Sequence, residues 1–185
     1  MMNVIFISQG PHLYGANRSL IDLIDGLENY NVKPYVVIPE NGEIITALHE
    51  RYVPYRILPV PRWVFRTPIS NYRKKLTMQR LYKAVGPYKE MIKDWSIDIV
   101  YTNSSVMPIG RLVAFLTGKR HIWHIRELNT LHYNKNFILP RWIAIKVIKS
   151  SKAVICNSKA VRDHYFEEQN EKIHVVYNGV ASESE

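Results

Sequence analysis

The sequence predicts an α/β fold built on a doubly wound, mostly parallel sheet of about seven strands. Three observations carry this. Apolar, β-branched runs alternate with segments of helical spacing seven times along the chain. The last alternation, Ala153–Val180, fits a strand, a helix and a second strand into one short segment, which demands a right-handed parallel crossover. Several of the predicted strands also stop in polar pairs, at the carboxyl ends where parallel sheets hold their ligands.

Asn3–Ser8 reads as a buried first strand, and Gln9–Asn17, with Gly10, Pro11 and Gly15, as a loop. Arg18–Glu28 places Leu20, Leu23, Ile24 and Leu27 on one helical face. Lys33–Pro39 is a second strand, Glu43–Arg51 a short helix and Tyr55–Val60 a third strand, followed by an irregular Pro61–Ile69. Arg73–Val85 is helical, and Gly86-Pro87 should break or kink the chain before Tyr88–Trp95. Asp98–Thr102 and His121–Ile125 are the fourth and fifth strands, with a helix near Met107–Thr117 between them. A helix over Leu139–Ser150 leads into the last unit: strand Ala153–Cys156, helix Lys159–Gln169 and strand Ile173–Tyr177.

A chain of 185 residues suits one domain, spanning 1–185, and can bury about 70% of its surface on folding. Its 46% apolar content is that of a globular protein. No apolar run approaches the ~20 residues that cross a bilayer, and the start has no basic region of a signal peptide. The lone Cys156 excludes an internal disulfide framework, suits a reducing compartment and reads as a small buried hydrophobe. The net charge of +9 is concentrated. Between Glu50 and Glu90 there is no acidic residue, while ten Lys and Arg residues fall there.

The strand-end polar residues are Ser8-Gln9, Asn103-Ser104, His124 to Glu127, Asn157-Ser158 and Asn178-Gly179. In a parallel sheet they line one edge, a cleft floor suited to a polar, hydroxyl-rich, phosphorylated ligand. Serines in these places also cap helices, and for Ser104 and Ser158 both readings stand. The spacing Gly10-x4-Gly15 superficially suggests a P-loop. Ala16-Asn17 follows instead of Lys-Ser/Thr, which excludes nucleoside-triphosphate hydrolysis of that type. Gly15 would let a phosphate approach the helix N-terminus, or is an ordinary turn glycine. His121 and His124 point to opposite faces of a strand and make a poor metal pair. No His, Cys or Asp cluster has ligand spacing, so neither a metal nor another cofactor is expected.

AVICNSKAVRDHYFEEQNEKIHVVYNGV closely resembles the end of the N-terminal domain of GT-B glycosyltransferases of family 4, the retaining type. There a strand ending in Asn-Ser, a helix and a strand ending in Tyr-Asn-Gly-Val lead into the second domain. Arg18-Ser19-Leu20 after a glycine loop is similar to the family's first βα unit. HIWHIRE resembles its fifth strand, whose histidine faces the cleft and contacts the donor sugar. The resemblance covers essentially the whole chain. It implies a Rossmann-like half of a GT-B fold, the acceptor-binding domain, with the donor-binding domain absent from this chain. It also implies transfer of a hexosyl group from a nucleotide-sugar to the hydroxyl of a saccharide or lipid-linked acceptor, in surface-glycan synthesis. On that basis His124 is the catalytic candidate. Gly15, Asn17, Arg18, Asn103, Ser104, Arg126, Glu127, Asn157 and Ser158 are the substrate-binding candidates. The family's loop often carries two adjacent glycines and then an acidic residue, and Ala16 and Asn17 depart from that pattern. The family's Glu-x7-Glu motif belongs to the second domain and does not occur here, so the chain alone is expected to be inactive.

The basic segment interleaves its cations with aromatics, which suits an anionic membrane surface. Arg62, Trp63, Phe65, Arg66, Arg73, Lys74 and Lys75 are the membrane-contact candidates; a solvated face is the plainer alternative. No nucleic-acid motif is present, and no nucleic-acid partner is expected. The expected location is the cytoplasm, at the inner face of the membrane. Two other functions fit less of the sequence. A nucleotide-sugar epimerase of the same fold needs paired carboxylates, and Glu127 alone is available. A non-catalytic subunit of a split, membrane-associated transferase needs no catalytic group.

Overall fold

The computed structural model describes residues 1–128, 134–167 and 170–179. Seven strands form one parallel sheet in the order β3-β2-β1-β5-β6-β8-β9. They are β1 (Met2–Ile7), β2 (Val32–Ile38), β3 (Tyr55–Ile57), β5 (Ile99–Thr102), β6 (Arg120–Ile125), β8 (Ala153–Cys156) and β9 (Ile173–Val175). Ile5 of β1 lies beside Tyr35 of β2 and Val100 of β5, which places β1 inside the sheet between those two strands. The two remaining strands, β4 (Val64–Arg66) and β7 (Lys135–Phe137), pair antiparallel as a separate ribbon. The helices are α1 (Gly15–Gly26), α2 (Ile44–Glu50), α3 (Asn71–Asp94), α4 (Ile109–Leu116), α5 (Arg141–Lys149) and α6 (Lys159–Tyr165).

The alternation along each strand sorts the core into two layers. Val4, Phe6, Val36 and Ile38 pack with Leu20 and Ile24 of α1 and Ile44 and Leu48 of α2. Ile5, Ile7, Val37 and Val100 pack with Tyr88 and Met91 of α3, Val113 of α4 and Ile148 of α5. Each such side chain removed from water contributes about 1.5–3 kcal/mol. From β1 the chain steps one way to β2 and β3, then returns and steps the other way through β5, β6, β8 and β9. The reversal falls between β1 and β5. Beyond the carboxyl ends of those two strands lies the crevice where open α/β sheets bind ligands.

The predicted sheet is thus the one that forms, and four local expectations are corrected. The helix expected from Arg18 begins at Gly15, so Gly15, Ala16 and Asn17 form its first turn. Gly86-Pro87 does not divide the following helix: α3 runs unbroken from Asn71 to Asp94 with Pro87 inside. Pro87 and Lys83 are both exposed, so the Lys83 carbonyl left without a donor faces water. Beyond the proline, Tyr88, Met91 and Ile92 are buried, and their packing holds the helix together. The irregular Pro61–Ile69 contains β4, whose partner β7 lies about seventy residues away and leaves no local signal. The helix expected to reach Gln169 closes at Tyr165, and Gln169 itself lies outside the described residues.

Candidate functional site at the switch point

The loop after β1 is shaped from within. Asn17, buried on the first turn of α1, donates from Nδ2 to the carbonyls of Gly10 and His12 at 2.8 and 2.7 Å. Its Oδ1 accepts from the Ser8 hydroxyl at 2.7 Å. Asn17 therefore braces the loop, and three of its four hydrogen-bonding capacities are used there. Tyr14 precedes the helix without a side-chain cap, and no acidic residue occupies the first turn. A Cβ on Gly15 would meet nothing within 4 Å, so the space above that turn is open. Arg18 is exposed one residue beyond Asn17.

A cleft of about 490 Å³ opens beside this loop, and Gln9, Asn17, Arg62, Glu127 and Lys135 are among the residues lining it. Glu127, just beyond β6, is tied down by the loop that follows β5. It accepts from the hydroxyls of Ser104 and Ser105 and from the Ser105 N–H at 3.0 Å. Ser104 also meets Gln9 at 3.1 Å. The Ser104 hydroxyl accepts from the Val106 N–H at 3.3 Å and does not cap α4. Four strand-end residues, Gln9, Ser104, Ser105 and Glu127, thus meet as one network at the reversal of strand order.

On the other side of the sheet edge lies a second cluster. His124, 5% exposed, receives the Tyr101 hydroxyl at Nδ1 over 2.6 Å, and Arg126 Nη2 at 3.2 Å. Arginine can only donate, so Nδ1 is the acceptor and the proton of the neutral ring sits on Nε2. That Nε2 is buried without a hydrogen-bond partner among the described residues. Burial, and then the charge of Arg126, holds the His124 pKa down to about 3. Burial raises the Tyr101 phenol and draws the Arg126 guanidinium down. Arg126 gathers the remaining groups: Nε donates to Asn103 Oδ1 at 2.9 Å, and Nη1 to Ser19 Oγ and Asn178 Oδ1, both at 2.8 Å. Asn103, fully buried, passes its own amide to the Ala16 carbonyl of α1 at 2.8 Å.

His121 points to the opposite face, as its parity requires. It is held between Thr102 Oγ1 at 2.8 Å and Ser151 Oγ at 2.9 Å, and burial, then the charge of Arg111, lowers its pKa to about 3. It is a structural histidine with both nitrogens occupied. Among the described residues no three His, Cys, Asp or Glu side chains converge. At β8, Asn157 Nδ2 donates to the Arg126 carbonyl at 3.3 Å, while its Oδ1 is buried without a partner among the described residues. Ser158 caps α6 through the Val161 N–H at 3.2 Å.

The basic segment divides. Trp63 is corrected: at 2% exposure it stacks on Trp123 and donates Nε1 to the Ser105 carbonyl at 2.8 Å, so no membrane can reach it. Arg62 turns into the cleft, where Nη2 donates to the Gln9 carbonyl at 3.1 Å. Phe65 is half-buried under the Arg73 guanidinium at 5.1 Å. Arg66, Arg73, Lys74 and Lys75 are exposed. The long exposed face of α3 carries Tyr72, Met78 and Tyr82 among its cations. No helix of the described residues is long and apolar enough to cross a membrane.

The structure also brings in residues not singled out as candidates: Ser19, Gln9, Ser105, Tyr101, Lys135 and Asn178. Gln9 and Asn178 carried a signal, since both end a predicted strand. Lys135 and Tyr101 carried none, because one sits on a ribbon invisible to local pattern and the other inside a strand.

The doubly wound parallel sheet with its polar network at the switch point matches one Rossmann-like half of a GT-B fold. Residues 14–184 match the sequence profile of Glycosyltransferase Family 4, and the chain belongs to that family. Its fold is similar to Alr3699/HepE of Anabaena, solved in complex with UDP and glucose: TM-score 0.68 and 21% identity, over 100% of this chain and 48% of that one. It is also similar to the lipopolysaccharide outer core galactosyltransferase WaaB, with TM-score 0.64 and 18% identity over 97% of this chain and 46% of that one. For MurG of Acinetobacter baumannii the values are 0.62 and 15%, over 94% and 44%. The chain spans about half the length of these solved structures. No curated protein matches the sequence.

Proposed function

We propose that this chain is the acceptor-side half of a retaining glycosyltransferase that moves a hexosyl group from a nucleotide-sugar to a hydroxyl, in the synthesis of a surface glycan. The observation that carries the reading is the neutral His124 ring, its tautomer set by Arg126 and its Nε2–H without a partner among the described residues. A preorganised neutral donor of this kind suits a sugar hydroxyl, which it can bind without adding charge. Arg126, Asn103, Ser19 and Asn178 position that ring. The open first turn of α1 at Gly15 and Ala16, with Arg18 beyond it, suits the donor's phosphates. Asn157, with its unpartnered oxygen, suits a further hydroxyl. The cleft of Gln9, Ser104 and Glu127 is left for the acceptor. The HepE structures hold UDP and glucose, or UDP-glucose, and UDP-glucose is therefore the first donor to try.

The leaving diphosphate needs cationic and helix-end partners that this half does not supply in full, so the 185 residues alone should turn over no donor. The exposed face of α3, with Arg73, Lys74, Lys75, Tyr72 and Tyr82, favours a peripheral position on an anionic membrane. The test begins with the coding sequence after Glu185. A continuing frame with a second α/β domain and a Glu-x7-Glu motif is expected, and its product should transfer from a nucleotide-sugar. His124→Ala should lower kcat/KM at least a hundredfold. Robust turnover by the 185 residues alone would overturn the two-domain reading.

A further inference from the structure

A second concavity, of about 280 Å³, shares no lining residue with the cleft. Met78 and Leu81 of α3, Leu112 and Phe115 of α4, and Leu139 and Val147 are among the residues lining it. Its polar side chains, Arg111 and Ser150, are bonded to each other, Arg111 Nε donating to Ser150 Oγ at 2.8 Å. Phe115 is 70% exposed and Met78 54%, so the mouth of this slot is apolar surface left in water. Single exposed apolar side chains are ordinary, but two that converge on one apolar slot mark a binding surface.

The helices around the slot carry cations without local acids. Helix α3 as far as Lys89, α4 and α5 contain no acidic residue. The acids of α3, Glu90 and Asp94, begin more than three turns beyond Met78, about 18 Å along the axis. The ion pairs among the described residues use Asp25, Glu43, Glu50, Asp94 and Asp163, and none engages a cation of α3, α4 or α5. Lys74 and Lys75, both exposed, precede Met78 by one turn, and exposed Tyr82 follows it by one, so all three flank it. The Arg111 guanidinium stands over Phe115, 5.5 Å from the ring centre. Burial lowers the Arg111 pKa, and an anion at the mouth would offset that lost hydration. An apolar slot, a ring with a polar tip beside its mouth and cations around it complement, in that order, the chain, the interface and the phosphate of a lipid anion.

We propose that this slot receives one acyl chain of an anionic phospholipid, with the phosphate met by Arg111 and the cations of α3. The proposal rests on the membrane position of α3 argued above, and it names the site at which a lipid enters the protein.

The experiment is calorimetric titration of the 185-residue chain with hexyl, octyl and decyl phosphate, each below its micelle concentration, and with glycerol phosphate as the head group alone. Each methylene that enters an apolar site gains about fourfold in affinity. Decyl phosphate should therefore bind at least tenfold tighter than hexyl phosphate, and glycerol phosphate more weakly than either. Met78→Ser with Phe115→Ser should erase the gain with chain length, at an unchanged urea midpoint. Arg111→Gln should weaken all three alkyl phosphates alike and keep the gain. Tyr30→Ser with Tyr52→Ser removes exposed apolar surface elsewhere and should change nothing. Affinity independent of chain length, or equal loss in the control pair, overturns the proposal. So does a dimer that Met78→Ser with Phe115→Ser abolishes, which would make the slot an interface between two copies. A longer, two-domain product that shows no gain with chain length would mean that the rest of the protein covers the slot, and overturns it as well. Sedimentation with phosphatidylglycerol vesicles separates the two readings. Chain-length-dependent binding without sedimentation would sustain the slot and refute the membrane position of α3. Sedimentation with a flat chain-length series would leave the cations alone on the membrane and refute the slot.

Discussion

The Arg126 guanidinium donates to Nδ1 of His124 across 3.2 Å, two residues further along the same strand end. Arg126 thereby fixes the tautomer of His124 and adds its charge to the burial that keeps the ring neutral. The expected consequence is visible in nitrogen NMR at pH 7: His124 should report a neutral ring protonated at Nε2. Arg126→Gln should move the His124 pKa up from about 3. Loss of the contacts to Asn103, Ser19 and Asn178 should cost about 1–3 kcal/mol of stability. A His124 protonated at Nδ1 would contradict the arrangement.

Acid should destabilise this fold well before its carboxylates are protonated. His121 and His124 are both held near pKa 3, against about 6.5 in the unfolded chain. The unfolded state then binds more protons than the native one between those values. Stability is fully present above pH about 6.5 and falls as pH drops toward 3, by up to about 2.7 kcal/mol per pH unit for the pair. Urea midpoints at pH 7.5 and pH 5.0 measure this. His121→Asn should reduce the slope by about half, and an unchanged midpoint would refute the neutral, buried state.

Gly110 of α4 lets that helix touch the sheet. A Cβ there would stand 2.0 Å from Thr102 Oγ1 and 3.3 Å from His121 Nε2. Gly110→Ala must push the helix away or break the Thr102–His121 hydrogen bond. A loss of about 2–4 kcal/mol is expected by chemical denaturation, although alanine is the better helix former. A neutral or stabilising result would mean the helix sits further from β5.

Trp63 and the aromatics of α3 separate core from surface. Trp63→Ala should cost about 3–5 kcal/mol, since it removes the stack on Trp123 and empties a buried site. Tyr72→Ala with Tyr82→Ala should stay within about 0.5 kcal/mol in stability, and should weaken sedimentation with phosphatidylglycerol vesicles. Vesicle binding unchanged in that double variant would leave α3 as a solvated face.

Pro87→Ala should stabilise the chain by about 1 kcal/mol or more, because it restores an N–H to the Lys83 carbonyl at an exposed position. Thermal melting decides it. Destabilisation would show that a kink at Pro87 is needed to seat Tyr88 and Met91.

The amino-acid sequence by itself determined the sheet. Ala153–Cys156 forms the predicted strand at the predicted bounds, and the other strands of the sheet agree to within a few residues. Their signal is local: a β-branched run between turn residues has few other ways to bury itself. The polar strand ends were legible for the same reason, so Asn103, Ser104, Arg126 and Glu127 fall at one edge as soon as the strands are known to run parallel. Tertiary structure decided the rest. Pattern alone did not decide that Arg126 turns to His124 while Glu127 turns to Ser104 and Ser105, because those choices depend on which side of the edge each side chain finds its partners. Nor could it fold Trp63 inward beside Arg62, since the ribbon that does so pairs Val64 with Phe137, far apart in sequence. Pro87 shows the same principle from the other direction. A local rule worth a few kcal/mol gave way to the burial of Tyr88, Met91 and Ile92, which only the assembled core could supply.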